Sequence, residues 1–91
     1  MAEKKLELKI ISPGQPIHKK IPKLADMVIM RCTTGDLGVL PGRSPCSLVL
    51  GEGVMRIINE GKEVNVNIGG GVANVSGDVV TVLSEVVEFI K

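Results

Sequence analysis

The stretch Val54-Met55-Arg56-Ile57-Ile58-Asn59-Glu60-Gly61-Lys62-Glu63-Val64-Asn65-Val66-Asn67-Ile68 decides the fold. Val64, Val66 and Ile68 alternate with Glu63, Asn65 and Asn67, the period of a strand with one face buried and one wet. Asn59-Glu60-Gly61-Lys62, set between two β-rich runs, is a hairpin signal. The same period recurs outward from this hairpin. Leu6, Leu8 and Ile10 alternate with Lys5, Glu7 and Lys9, and Ser12-Pro13-Gly14 makes a turn. Residues 16–20 read as a short edge strand, stopped by Pro22. Residues 25–32 are apolar on both faces (Met27, Val28, Ile29, Met30), which predicts a central strand covered on both sides. Residues 46–50 resume an extended run, and Gly51-Glu52-Gly53 turns it into the hairpin. Gly69-Gly70-Gly71 then breaks the second hairpin strand. Residues 72–75, the turn Ser76-Gly77-Asp78 and residues 79–87 complete the chain, and residues 85–91 are compatible with one terminal helical turn. Roughly eight to ten short runs at intervals of about 8–12 residues predict an all-β domain over the whole of residues 1–91. The expected form is an antiparallel β-sandwich or flattened barrel of about ten short strands.

Composition narrows the function. Apolar residues make up 44% of the chain, enough to fold around one modest core. Phe89 is the only aromatic residue, so that core is built from Val, Ile, Leu and Met. Eleven basic residues stand against ten acidic ones, with no aromatic stacking platforms, which argues against a nucleic-acid partner. Lys4-Lys5 and Lys19-Lys20 read as solvated strand ends. Cys32 and Cys46 are too few for a disulfide scaffold and have no metal-site spacing, so they read as two buried free thiols in a reducing compartment. Apolar runs are far shorter than the ~20 residues of a membrane-spanning helix, and Met1-Ala2-Glu3-Lys4-Lys5 lacks the apolar core of a signal peptide. The expectation is a soluble, intracellular protein.

No catalytic constellation emerges. His18 is the single histidine and reads as a solvent-facing side chain between Ile17 and Lys19. Asp26, Asp78, Glu85 and Glu88 are scattered, with nothing to pair two of them as acid and base. Gly69-Gly70-Gly71 is followed by Val72-Ala73-Asn74-Val75, not by the Lys-Ser/Thr and helix of a phosphate loop. It therefore reads as a bulge or a close backbone approach. Lys62 sits at a hairpin, but between Gly61 and Glu63, unlike a lipoyl- or biotin-bearing lysine. No catalytic residue, cofactor or metal is expected.

Gly35-Asp36-Leu37-Gly38-Val39-Leu40-Pro41-Gly42-Arg43-Ser44-Pro45 stands apart. Glycines and prolines bracket an apolar triplet, so the backbone is held to a specified shape with a short strand inside it. One acid and one base stand at its rim, which suits presentation to a partner.

This run resembles the loop G-x-x-G-(I/V/L)-x-P-G-H-(A/S)-P of the epsilon subunit family of bacterial F-type ATP synthases. The order of features around it agrees. Leu6 to Ser12, then Pro13 and Ala25-Asp26-Met27-Val28-Ile29, resemble that family's first strand and its V-x-x-V central strand. Leu50-Gly51-Glu52-Gly53-Val54-Met55-Arg56-Ile57 is similar to L-x-x-G-x-(L/M)-x-(I/V). Gly70-Gly71-Val72-Ala73-Asn74-Val75 resembles G-G-(F/I)-(L/A)-x-V, and Val80-Thr81-Val82-Leu83-Ser84 resembles V-T-V-L-A. The loop is the most specific of these matches.

The resemblance implies an N-terminal β-sandwich that performs no chemistry. It implies a rotor part that joins the gamma subunit to the c-ring and couples proton or sodium flow to ATP synthesis. Its place would be the cytoplasmic face of the bacterial plasma membrane, with membrane contact only through the complex. Asp36, Leu37, Gly38, Pro41, Gly42, Arg43 and Ser44 would be the ring-facing residues, with Leu37, Val39, Leu40 and Pro41 holding the shape from beneath. A broad apolar contact with gamma is expected, for which Met27, Met30 and Met55 are candidates beside their plainer role as core. Such a face, left unoccupied, predicts some self-association of the isolated chain. Three features depart from the family pattern. Arg43 stands where histidine is usual. Arg31-Cys32-Thr33-Thr34 replaces a Pro- or Gly-containing segment. The helical hairpin with which family members usually continue, which carries inhibition of ATP hydrolysis, has no counterpart within residues 1–91. The competing reading is a stand-alone small-ligand-binding β-domain, which requires a concave pocket with convergent polar groups.

Overall fold

The computed structural model describes residues 5–14, 17, 19–42 and 44–90. Among them the chain forms eight strands, β1 (Leu6–Ile11), β2 (Leu24–Ala25), β3 (Met27–Cys32), β4 (Gly35–Val39), β5 (Cys46–Asn59), β6 (Lys62–Ser76), β7 (Val79–Leu83) and β8 (Val87–Ile90), and no helix. The hairpin is the spine. Its register holds from Asn59↔Lys62 to Cys46↔Val75. Glu60 (φ 53°) and Gly61 (φ 77°) are both left-handed, the mirror-image turn whose twist matches two antiparallel strands.

The hairpin serves two layers. Its tip half joins β3, β4 and β8, in the order β4-β3-β5-β6-β8, and its base half joins β7, β1 and β2, in the order β5-β6-β7-β1-β2. Between the halves the buried positions change parity. Val66 and Ile68 face the core near the tip, Ala73 and Val75 near the base. Met55 and Ile57 on β5 give way to Leu50 in the same manner. A strand that bends and switches sheets turns opposite faces inward, so both layers close on one cluster of buried aliphatic and methionine side chains. Each fully buried Val or Ile there adds about 1.5–3 kcal/mol of transfer free energy.

The bend is made by close backbone approach. A Cβ on Gly71 would stand 2.1 Å from the Leu83 carbonyl oxygen, and Gly71 lies at φ 143°. A Cβ on Gly69 would stand 2.7 Å from Val86 Cβ. Buried Ser84 ties the crossing together. Its hydroxyl donates to the Gly70 carbonyl and accepts from the Val86 amide at 3.3 Å, and its own amide donates to the Ile11 carbonyl at 3.1 Å.

The fold therefore differs from the sequence reading in specific ways. Two strands of 14 and 15 residues replace four shorter ones, because the glycines at 51–53 and 69–71 bend the ladder without ending it. The count is eight among the described residues, not about ten. β1 and β7 pair in parallel, from Glu7↔Val79 to Ile11↔Leu83, so the sheet is mixed. β3 buries alternate side chains (Val28, Met30, Cys32) and is half-covered or exposed on its other face, because β4 and β5 flank it edge to edge within a sheet layer. The C-terminal turn is the strand β8, whose ladder runs from Asn65↔Ile90 to Ile68↔Val87. Within the expected edge strand at 16–20, Ile17, Lys19 and Lys20 form no strand, and residues 16 and 18 lie outside the described residues. Cys32 is buried as expected, but Cys46 is only half-buried at the start of β5.

Candidate functional site

The glycine- and proline-rich stretch 35–45 divides into two parts. Its first part is β4, an edge strand antiparallel to β3 in the register Cys32↔Gly35 to Val28↔Val39. Alternating Leu37 and Val39 make this possible, with Val39 fully buried and Leu37 packed on the core. Gly38 lets the strand close on its neighbour, since a Cβ there would stand 2.6 Å from Met27 Cε. Asp36 sits opposite Arg31, whose Nε donates to Oδ1 at 3.2 Å. Both side chains are more than half exposed, so water screens the pair and its contribution to stability is small.

The second part is the turn beyond Val39. Gly42 takes φ 87°, the value a type II turn requires after proline. Its amide donates to Asp78 Oδ1 at 2.9 Å, across to the β6–β7 turn. The Asp78 carbonyl in turn accepts the Glu7 amide at 2.7 Å, where β1 begins. Ser44 is exposed, and Leu40, expected to support the loop from beneath, is 55% exposed.

The candidate residues thus form two groups. Asp36, Leu37 and Gly38 lie along β4, while Pro41, Gly42 and Ser44 lie past its far end. About 13 Å of strand separates Asp36 from Leu40, at ~3.3 Å per residue. Arg43 falls outside the described residues, as does His18. Of the three methionines, two belong to the core. Met30 and Met55 are buried, and Met27 is half-buried against Gly38.

A surface that periodicity alone does not reveal lies on the outer face of the base layer. Ile11 pairs with Leu83, Leu83 with Val72, and Val72 with Val49. These four form one row across four strands, 51%, 43%, 50% and 60% exposed. A row two residues along the strands, Lys9, Thr81, Asn74 and Ser47, is polar. The apolar row borders an open groove of about 500 Å³ lined by Pro13, Gly69, Gly70, Gly71, Ser84 and Glu85 together with Val72 and Leu83.

Charges elsewhere stitch the fold. Lys5 Nζ lies 3.0 Å from Asp26 and 3.6 Å from Glu60, and Asp26 Oδ2 accepts the Glu60 amide at 2.8 Å. The Glu60 amide and then Lys5 hold the Asp26 carboxyl below its ordinary range, and the hydrogen bond to Asp26 raises Lys5. Arg56 and Glu63 meet at 2.7 Å, which lowers the carboxyl and raises the guanidinium. Burial, then the Asp36 and Cys46 charges, push the Cys32 thiol up.

Among the described residues no three His, Cys, Asp or Glu side chains gather as metal ligands. An open groove of about 710 Å³ runs beside β1, with Leu8, Ile10 and Ile21 beneath and Lys9, Lys19 and Lys23 around it. The buried polar residues among those described, Ser12 and Ser84, do not line it. No helix among the described residues is long and apolar enough to cross a membrane.

The family described as "ATP synthase, Delta/Epsilon chain, beta-sandwich domain" matches residues 5–90. The ATP synthase epsilon chain of Frankia casuarinae is 37% identical over 81 residues, 88% of this chain and 92% of that one. The epsilon chain of Bacillus subtilis is 33% identical over 85 residues, covering 93% of this chain and 62% of that one. The sequence thus spans most of one relative and under two thirds of the other. Among solved structures, a chain of the Euglena gracilis mitochondrial ATP synthase, solved as OSCP/F1/c-ring, superposes with TM-score 0.83 at 24% identity over 93% of this chain and 53% of its own. A chain of the Tetrahymena thermophila mitochondrial ATP synthase, from its central stalk and c-ring, gives 0.69 at 14% identity, covering 96% and 68%. At such identities these two establish the shared fold.

Proposed function

The chain belongs to the β-sandwich family of ATP synthase delta and epsilon chains, and from that premise we propose that it is a non-catalytic part of the central stalk of an F-type ATP synthase. In this reading it joins gamma to the c-ring, so that ion flow through the ring is coupled to ATP synthesis. It is held at the cytoplasmic face of the membrane by those partners alone. The observation that carries the reading is the outer row Ile11, Leu83, Val72 and Val49. A sheet face with four aligned, exposed aliphatic side chains is unfavourable in water and is relieved by a partner with a matching apolar surface. We assign this row to gamma. The stretch 35–45 supplies the second contact, to the polar loops of the ring, through Asp36, Leu37 and Gly38 on β4 and Pro41, Gly42, Arg43 and Ser44 beyond it. A joint that transmits torque is served by two separated contacts.

The test is co-purification. Ile11→Asp together with Val49→Asp places two charges at the two ends of the row, on strands that do not pair with each other, without touching the core. Loss of gamma binding with an unchanged melting temperature supports the reading, and full retention of gamma refutes it. The small-ligand reading has less support, because the groove beside β1 presents lysines and no buried polar group among the described residues, and buried Ser84 on the other groove already bonds Gly70 and Val86 through its hydroxyl.

A further inference from the structure

Asp78 lies 36 residues along the chain from Gly42, yet it is where three segments meet. Its carbonyl accepts the Glu7 amide at 2.7 Å, and its carboxylate accepts the Gly42 amide at 2.9 Å. The backbone oxygen therefore fixes Asp78 to the start of β1, and the side chain extends that fixed point to the Pro41-Gly42 turn. The Gly42 amide finds its acceptor outside the Pro41-Gly42 turn. The Asp78 carboxylate satisfies that amide with a charge-assisted bond at an exposed position. No Cβ would clash at Gly42, so its positive φ of 87° is what favours glycine there.

We propose that Asp78 is a positioning residue for the ring contact: it sets the orientation of the Pro41-Gly42 turn from the β6–β7 turn, without itself touching the ring. The proposal rests on the ring-contact reading of residues 41–44. It also says something that reading does not, that the contact's geometry is governed by a turn remote in sequence.

The test compares Asp78→Ala, Asp78→Asn and Ser44→Glu in two assays. Amide hydrogen exchange is measured on the isolated chain, and retention of purified c-ring is measured on the chain bound to gamma. In Asp78→Ala the Gly42 amide is expected to exchange about tenfold faster, the loss of a bond worth roughly 1.4 kcal/mol. Gamma binding is expected to hold while ring retention falls severalfold. Asp78→Asn keeps an acceptor oxygen and is expected to restore most of both. Unchanged Gly42 exchange in Asp78→Ala overturns the clamp. Faster exchange with normal ring retention, while Ser44→Glu does impair retention, overturns the positioning role alone. If Ser44→Glu also retains the ring, the ring-contact reading fails and the proposal falls with it.

Discussion

Replacing Gly71 with alanine tests the bend on which both layers depend. The new Cβ would stand 2.1 Å from the Leu83 carbonyl oxygen and 3.1 Å from both Leu83 C and Ser84 Cα. All three are backbone atoms, so no rotamer change relieves the overlap. A carbon and a carbonyl oxygen approach no closer than about 3.3 Å, so β6 and β7 would have to part by about 1 Å at this point. The ladder pair Val72↔Leu83 and the Ser84 bonds to Gly70 and Ile11 sit there. Losing one or two of those hydrogen bonds costs about 1 kcal/mol each. Holding alanine at φ 143° adds about 1–3 kcal/mol of backbone strain. The sum runs from about 2 to 5 kcal/mol, a large share of the ~5–14 kcal/mol typical for a domain of this size. At ~4–8 °C per kcal/mol even the low end corresponds to a melting temperature lower by about 8–16 °C. Circular dichroism melts of three variants give the comparison. Gly77→Ala, at φ 61° with open space around it, is expected to cost only about 1–2 kcal/mol. Gly51→Ala, with open space and no left-handed backbone, is expected to cost little. If Gly71→Ala melts within about 3 °C of the parent, less than 1 kcal/mol is lost and the close-approach account of the bend is wrong.

Other outcomes follow from local geometry. Glu60→Asn should raise the melting temperature by about 2–4 °C, because Asn-Gly suits a mirror-image turn better by ~0.5 kcal/mol; a fall would mean that the Glu60 contact with Lys5 dominates. Asp26 and Glu63 titrate below their ordinary values of 3.8 and 4.5, so their contribution is complete above those values and is lost as pH falls through the folded ones. Melting temperature should therefore decline between about pH 5 and 3, and more gently in Asp26→Asn; equal slopes would discount the Lys5–Asp26–Glu60 cluster. A thiol reagent at neutral pH should label half-buried Cys46 first and reach Cys32 only on unfolding, as mass spectrometry of the two peptides would report; prior labelling of Cys32 would contradict its burial.

The two strands of the hairpin were legible because alternation and a turn are local properties. Glu63 to Ile68 declares its inward face with no knowledge of its neighbours, and Asn59 to Lys62 fixes the only register two such strands can take. The rest depends on which strand lies beside which. Gly69-Gly70-Gly71 looks like an interruption, since glycine weakens a strand, yet here glycine is what lets three strands cross at the bend while the ladder continues. The parity switch hidden in that bend also explains the exposed row. On an unbent strand Val72 would share the buried face of Ile68, but after the bend it points outward, and so do its cross-strand partners Val49 and Leu83. Each of the four residues is unremarkable in its own segment; only the shared register of four strands makes them one surface. Asp78 is the same case in polar form. Within Ser76-Gly77-Asp78 it is an ordinary turn residue, and its bond to Gly42 exists because the β6–β7 turn lies against the turn beyond β4. The stretch 35–45 announces its shape through its own glycines and prolines, but what holds that shape in place is supplied by the opposite end of the chain.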